Sequence, residues 1–140
     1  MERQELHILS WNCCVGVSNV HTETGLRAFI ARLTAVAPKW DAVLVQEFTS
    51  TQRAVPERVD GHVIAVADPS PDGRRRVSVI LNASIASGLV EIVRSSECAH
   101  SLAVDFAWKD RKLRLVSSHA VSYTHLRAHE TDSYLVCRLL

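Results

Sequence analysis

Two short motifs in the first third of the chain end in side chains that can handle a metal-bound phosphate. Leu6–Asn12 is a mostly apolar run that ends in an amide, and Leu44–Glu47 is an apolar run that ends in a carboxylate. If the two runs form neighbouring parallel strands, Asn12 and Glu47 emerge at the same sheet edge. Mg²⁺ prefers oxygen ligands and takes only one or two carboxylates from a protein, so a site for a hard cation could start there.

Each candidate also has a purely structural interpretation. Asn12 could cap a turn, since asparagine is favoured in loops, and Glu47 could be a surface residue at the start of a loop. His119 follows the predicted strand 113–117 and is the third candidate. It could act through a hydrogen bond or through the titration of histidine near neutral pH. A histidine on the surface, satisfied by solvent, is the alternative for that position.

Basic residues cluster at 74–76, where Arg76 is a candidate contact for a phosphate backbone. A solvated loop beside Asp72 is the simpler interpretation of this cluster. Cys13 is a poor candidate nucleophile, because no histidine lies at a recognisable spacing from it.

The last twenty residues form a separate segment. Val121–Thr131 and Leu135–Leu140 resemble two blocks of a translated sequencing adapter in one reading frame, and the gap between them has the length of a sample index. We therefore expect residues 121–140 to be non-native and exclude them from the fold. The native part is then 1–120, a truncated domain.

Composition restricts the class of protein. About 120 native residues fit one domain or part of one. Lys and Arg total 16, Asp and Glu total 15, and 47% of residues are hydrophobic, which indicates an ordinary globular protein with a core. The net charge of +1 does not demand a nucleic-acid partner.

Cysteine usage and the N-terminus indicate an intracellular protein, cytoplasmic or nuclear. Cys13, Cys14 and Cys98 contain no CxxC pair, so we expect free thiols in a reducing compartment. The N-terminal residues carry charges of both signs, so we expect no signal peptide. No apolar run approaches the length that crosses a membrane.

Hydrophobic periodicity predicts a mixed α/β sheet. An apolar spacing of three and four residues predicts a helix over 26–37, capped by Thr24 and ended by Pro38. Strand, helix, strand is a right-handed crossover, so the first two strands should be parallel. Later strands should be antiparallel, with a hairpin near the end. The predicted strands cover residues 5–11, 42–45, 62–67, 77–81, 89–93, 101–108 and 113–117.

Four segments in order resemble the endonuclease/exonuclease/phosphatase superfamily, in particular its repair-type and retrotransposon-type endonucleases. They read ILSWN, WDAVLVQEF, RRRVSVILNASI and RKLRLVSSHA and span residues 6–119. The resemblance implies a four-layer α/β sandwich, of which this chain is the N-terminal half. It also implies hydrolysis of a phosphodiester or phosphomonoester that depends on Mg²⁺ or Mn²⁺.

The resemblance implies a role for each candidate residue. Glu47 would bind the metal, Asn12 would orient the metal or the phosphate, and His119 would contact the scissile phosphate. The family's Gly-Asp-X-Asn motif and terminal Asp-His pair are not in this sequence. The resemblance leads us to expect that the complete parent protein acts on nucleic acid as a DNA endonuclease. Because the two motifs are missing, we expect the 140-residue chain to be inactive. We also expect its first sheet to expose the apolar face that would pack against the missing half.

Other functions fit the same half-domain. The superfamily also includes phosphatases, deadenylases and sphingomyelinases, and this half of the domain does not choose among them. A non-catalytic α/β binding module on the same scaffold is the alternative from a different class of protein.

Overall fold

The computed structural model describes the chain in several ranges separated by short gaps. For residues 75, 76, 120, 121 and 131–139 it describes the backbone alone. The described ranges are 5–14, 16–51, 53–71, 73–94, 100–121 and 131–139. The elements within them are β1 (Ile8–Asn12), α1 (Glu23–Val36), β2 (Ala42–Thr49), β3 (Arg58–Val59), β4 (His62–Val66), β5 (Arg75–Leu81), α2 (Ala83–Ala86), β6 (Leu89–Arg94), β7 (Ser101–Trp108), β8 (Arg111–Val121) and β9 (Thr131–Leu139).

The first sheet has the order β1-β2-β5-β4-β3. β1 and β2 pair in parallel and are joined through α1, which confirms the predicted parallel pairing of the first two strands. The remaining pairs in this sheet are antiparallel. The sheet is therefore mixed, and the parallel pair ends at the edge where the candidate residues lie.

Helix α1 covers the outer face of the first sheet. Leu26, Phe29, Ile30 and Leu33 are its buried residues, at the predicted spacing. Burying a side chain such as Leu26 stabilises the fold by about 1.5–3 kcal/mol. The helix packs against side chains on the outer face of β2, which are Val43, Val45 and Phe48.

The prediction that Thr24 caps this helix is wrong. Thr22 is the cap, because its hydroxyl accepts a hydrogen bond from the Gly25 N–H at 3.0 Å. The Thr22 N–H donates in turn to the Asn19 carbonyl at 3.0 Å, so a turn just before the helix fixes the earlier threonine. The helix ends at Val36, as expected from Pro38.

The second sheet has the order β6-β7-β8-β9, with all pairs antiparallel. The predicted hairpin is present, and Lys109 and Asp110 form its turn with φ of 48° and 62°. A two-residue hairpin turn requires positive φ at both positions when it follows the twist of the strands.

Strand β9 lies inside the segment that resembles an adapter. Its backbone pairs with β8 from Thr131 opposite Val121 to Leu139 opposite Leu113. Strand pairing of this kind does not depend on the origin of a sequence, since backbone groups supply the hydrogen bonds. The non-native origin of residues 121–140 therefore stays a prediction.

The main core lies between the two sheets. It joins residues of the first sheet, such as Leu44 and Val79, to residues of the second, such as Phe106 and Leu115. The expectation of an exposed sheet face is therefore wrong, because the inner face of the first sheet packs against the second sheet. The architecture is an α/β sandwich, and among the described residues α1 covers the outer face of the first sheet.

The helices of the described part of the chain are all too short or too polar to cross a membrane.

Candidate active site

The ends of β1 and β2 lie side by side at one edge of the first sheet. Asn12 pairs with Gln46 in parallel register, so Glu47 is the next residue on the neighbouring strand. Asn12 and Glu47 are both half-buried. The two residues that the sequence singled out therefore share one sheet edge, as their spacing predicted.

A β-bulge removes Glu47 from the core beneath α1. Val45 and Phe48 both pack against α1, although residues three apart on a regular strand face opposite sides. The pairing of β2 with β5 shifts register between Gln46 and Thr49, and Glu47 has a φ of 51°. On an unbroken strand Glu47 would point under the helix with Val45. Bulges are common beside active sites, where they change the direction of one side chain.

The loop after β1 is fastened to this bulge. The Cys13 N–H donates to the Gln46 carbonyl at 2.9 Å, and the Val17 N–H donates to the Phe48 carbonyl at 2.6 Å. Gly16 has a φ of 86°, and a Cβ there would lie 3.3 Å from Cα of Thr49. The backbone therefore needs glycine at this point to follow the bulged strand closely.

A local hydrogen bond orients the Asn12 side chain. Its Oδ1 accepts from the Cys14 N–H at 2.8 Å, and Cys14 has a φ of 63°. This is the turn-capping role that the sequence left open as an alternative. An amide oxygen has two lone pairs, so the same atom can accept this bond and still contact a cation.

A buried hydrogen-bond network holds the end of β2 from the other sheet. Gln46 is fully buried, and its Nε2 donates to the Leu44 carbonyl at 3.1 Å and to Ser117 Oγ at 3.3 Å. Ser10 Oγ donates to Gln46 Oε1 at 3.3 Å, and Ser117 Oγ donates to the Val45 carbonyl at 3.0 Å. The network links β1, β2 and β8, so it fixes the spacing of the sheets next to the candidate residues.

Sequence reasoning missed the roles of Gln46 and Ser117. A signal for Ser117 was present in its spacing along β8. Every second residue of a strand faces the same side, so Ser117 shares a face with Leu113, Leu115 and His119. A polar residue that follows apolar residues on a buried strand face predicts a hydrogen-bond partner on the facing sheet.

His119 lies at the same end of the sandwich as Asn12 and Glu47. At the start of β8, Lys109 of the hairpin turn lines the same cleft as Asp41, which precedes β2. Further along β8, Ser117 contacts Gln46 near the end of β2. β8 therefore runs in the direction of β2, and His119 follows Ser117 on the same face.

The surface position considered for His119 is wrong. Its side chain is only 1% exposed, and β8 continues past it to Val121. His119 also pairs along the backbone with Ser133 of β9.

Glu47 differs from Asn12 and Gln46 in the number of polar partners of its side chain. Within the described residues the Glu47 carboxylate has no hydrogen bond and no ion pair.

Burial raises the pKa of the Cys13 thiol to about 11. The nearby Cys14 and Glu47 raise it further, and Arg32 acts in the opposite direction. Cys13 therefore remains a thiol at neutral pH, which agrees with its dismissal as a nucleophile.

The candidate donor atoms are of the chemical type that a hard cation takes. Glu47 supplies a carboxylate and Asn12 an amide oxygen, which matches the few protein ligands that Mg²⁺ takes while it keeps most of its waters. Groups of three or more His, Cys, Asp or Glu residues placed to hold a metal do not occur in the described ranges. Magnesium coordination of the kind expected here does not require such a group.

Arg76 was the candidate phosphate contact. Its backbone lies in β5, and its side chain lies outside the described residues. Arg74 is described, and its carbonyl accepts hydrogen bonds from the N–H and Oγ of Ser70 at 2.8 and 3.0 Å. The basic segment thus begins at a closed turn before β5.

The fold has a counterpart among solved structures. It is similar to the endonuclease domain of TRAS1, a telomere-specific non-LTR retrotransposon, with a TM-score of 0.51 at 14% sequence identity. The fold is that of an endonuclease-type α/β sandwich. The similarity covers 81% of this chain and 44% of the TRAS1 chain, so this chain spans less than half the length of that structure. No protein-family model and no curated protein matches the sequence.

Proposed function

We propose that residues 1–120 belong to a metal-dependent phosphodiesterase domain that cleaves DNA. The observation that carries the proposal is the bulge that turns Glu47 out of the helix-side core beside Asn12. A strand with this bulge leaves a half-buried carboxylate at a sheet edge, with no acceptor role inside the described fold. The likeness to the TRAS1 endonuclease domain supports this class of reaction.

Glu47 and Asn12 would hold the cation, Mg²⁺ or Mn²⁺. When bound, such an ion polarises a phosphate oxygen and helps to form hydroxide from water at neutral pH. Asn12 is held by Cys14, so its amide oxygen is set in place before the cation arrives. A preorganised ligand loses less conformational entropy on binding than a mobile one.

His119 is 1% exposed in this chain, so it would donate a hydrogen bond to the phosphate, as negative charge develops there, only where the native continuation of the domain leaves its ring accessible. The Gln46–Ser117 network would keep the two sheets at a fixed spacing, so that His119 and Glu47 stay at the same end of the sandwich. The resemblance to the superfamily implies that the attacking water would be activated by its Gly-Asp-X-Asn and Asp-His motifs, which this sequence lacks. The 140-residue chain should therefore not cleave DNA by itself.

Plasmid nicking by the complete parent protein tests this function. We expect conversion of supercoiled plasmid to the open circle in Mg²⁺, and loss of that activity in Glu47→Gln. The matched control is Glu91→Gln, which removes an exposed carboxylate on β6 in the second sheet and should retain activity.

Equal nicking by Glu47→Gln and the wild-type parent would overturn the proposal. A parent protein that binds DNA tightly without nicking it would instead support the non-catalytic binding module. Cleavage of a phosphomonoester or a phospholipid in place of DNA would assign the domain to another branch of the superfamily.

A further inference from the structure

The loops that follow β1 and β2 meet at a contact between His21 and Arg53. Arg53 Nη1 donates to His21 Nε2 at 3.2 Å. One loop leaves the sheet after Asn12 and the other leaves it after the bulge at Glu47. The contact therefore joins the two loops that begin at the candidate metal site.

The hydrogen bond fixes the state of the His21 ring. A guanidinium group only donates, so the Nε2 atom that accepts from Arg53 carries no hydrogen and Nδ1 carries the ring hydrogen. Nδ1 is buried and has no hydrogen-bond partner within the described part of the chain. A buried polar atom without a partner needs an explanation. Here the ring is oriented so that Nε2 accepts from Arg53, and this orientation leaves Nδ1 without a partner.

Arg53 differs from the arginines that serve the fold. Arg27 binds Asp60 at 2.9 Å and Glu23 at 3.2 Å, and Arg114 binds Asp105 at 2.7 Å. Arg53 is exposed, and the described residues place no carboxylate within ion-pair distance of it. The His21 ring holds the guanidinium in place, and the described part of the chain supplies no carboxylate to compensate its charge.

We propose that Arg53, held by His21, binds a phosphate of duplex DNA next to the one that is cleaved. A guanidinium presents a planar set of donors that matches two oxygens of one phosphate. A phosphate contact carries no sequence information but sets the register of the protein on the duplex. This inference rests on the proposed function, since it assigns the substrate's second contact at the same sheet edge.

Salt-dependent binding tests the contact without any cleavage. Fluorescence anisotropy would follow a labelled DNA duplex bound by the wild-type chain in EDTA, over a range of salt concentrations. Each phosphate contact contributes about 0.9 to the slope of log Kd against log salt. Arg53→Gln should weaken binding and lower that slope by about 0.9.

Arg111→Gln is the matched control, because it removes the same charge from an exposed residue in the hairpin that lies at the other end of the sandwich. It should leave the slope unchanged. Arg53→Lys should keep the slope and lose affinity, because an ammonium group cannot contact two oxygens in a plane. Circular dichroism would establish that each variant is folded.

His21 is a positioning residue in this account. His21→Gln retains an acceptor for Arg53 and should bind DNA nearly as the wild type does, whereas His21→Ala should weaken binding and leave the salt slope unchanged. A merely structural role would make both substitutions equally harmful.

An unchanged slope in Arg53→Gln would overturn the inference and leave the proposed function intact. Absence of duplex binding by the wild-type chain at every salt concentration would also overturn it. Cation binding at Glu47 and plasmid nicking are measured separately, so the two proposals fail in distinguishable ways.

Discussion

Two carboxylates at opposite ends of β2 have opposite surroundings. Asp41, just before the strand, is 1% exposed and accepts hydrogen bonds from the His7 N–H at 2.8 Å and from Ser84 Oγ at 3.0 Å. Glu47, near the end of the strand, is half-buried and has no such donor within the described ranges. The fold therefore satisfies one acid completely and leaves the other available for a ligand.

The backbone shows the same contrast. β2 begins at Ala42 in regular register with both of its neighbours. At Glu47 the register breaks, and a residue other than glycine adopts a φ of 51°. Left-handed backbone at such a residue costs about 1–3 kcal/mol and is concentrated at functional sites. The strand thus carries strain only at the end with the candidate ligands.

Asp41→Ala should produce the largest loss of stability. It removes the buried acceptor of two hydrogen bonds, one from the half-buried His7 N–H and one from the hydroxyl of the exposed Ser84. We expect the free energy of unfolding to fall by about 2–4 kcal/mol, measured by urea denaturation.

Asp68→Ala is the control for loss of one acid, because Asp68 is exposed. It should change the free energy of unfolding by less than about 0.5 kcal/mol. If both variants were equally stable, the contrast between the ends of β2 would not hold.

Glycine and alanine at position 47 should differ in stability in the opposite sense from the same two residues at a regular strand position. Glycine adopts positive φ without penalty, so Glu47→Gly should be more stable than Glu47→Ala by about 1 kcal/mol, measured by urea denaturation. On a regular strand alanine would be the more stable of the two. A more stable alanine variant would mean that Glu47 is not held in the left-handed conformation.

The sequence predicted the frame of this site well. The parallel pairing of the first two strands followed from a strand, a helix and a strand in succession, because that connection has one favoured hand. Asn12 and Glu47 could be placed at one edge for the same reason. Helix α1 was predicted from its buried spacing, although its cap was assigned to the wrong threonine.

The details of the site depend on contacts that local sequence does not encode. The run Ala42–Val45 is uniformly apolar, so it has no alternation from which a bulge at Glu47 could be predicted. Gln46 and Ser117 meet only because the two sheets pack face to face. His21 and Arg53 meet because two loops leave the same edge, which no spacing along the chain reveals.

Asp105 is a carboxylate held in an ion pair with Arg114, and its substitution should have the smallest effect on stability. Hydrogen bonds from Arg114 hold the pKa of Asp105 below its ordinary value of 3.8. This contribution to stability is present above that value and is lost as the pH falls through the lower, folded-state pKa. The effect should be small because Arg114 is 36% exposed and solvent screens the pair.

Acid titration of unfolding measures this contribution. Asp105→Asn should be slightly less stable than the wild type at neutral pH, and the difference should shrink as the pH falls below about 4. A difference that grows on acidification would contradict the assignment of the ion pair.

Binding of Mn²⁺ to the wild-type chain, followed by electron paramagnetic resonance, tests the central claim most directly. We predict one bound ion, loss of that binding in Glu47→Gln, and retention of it in Glu91→Gln. Equal Mn²⁺ binding by the wild type and Glu47→Gln would contradict the claim that Glu47 is turned out of the core to hold a cation.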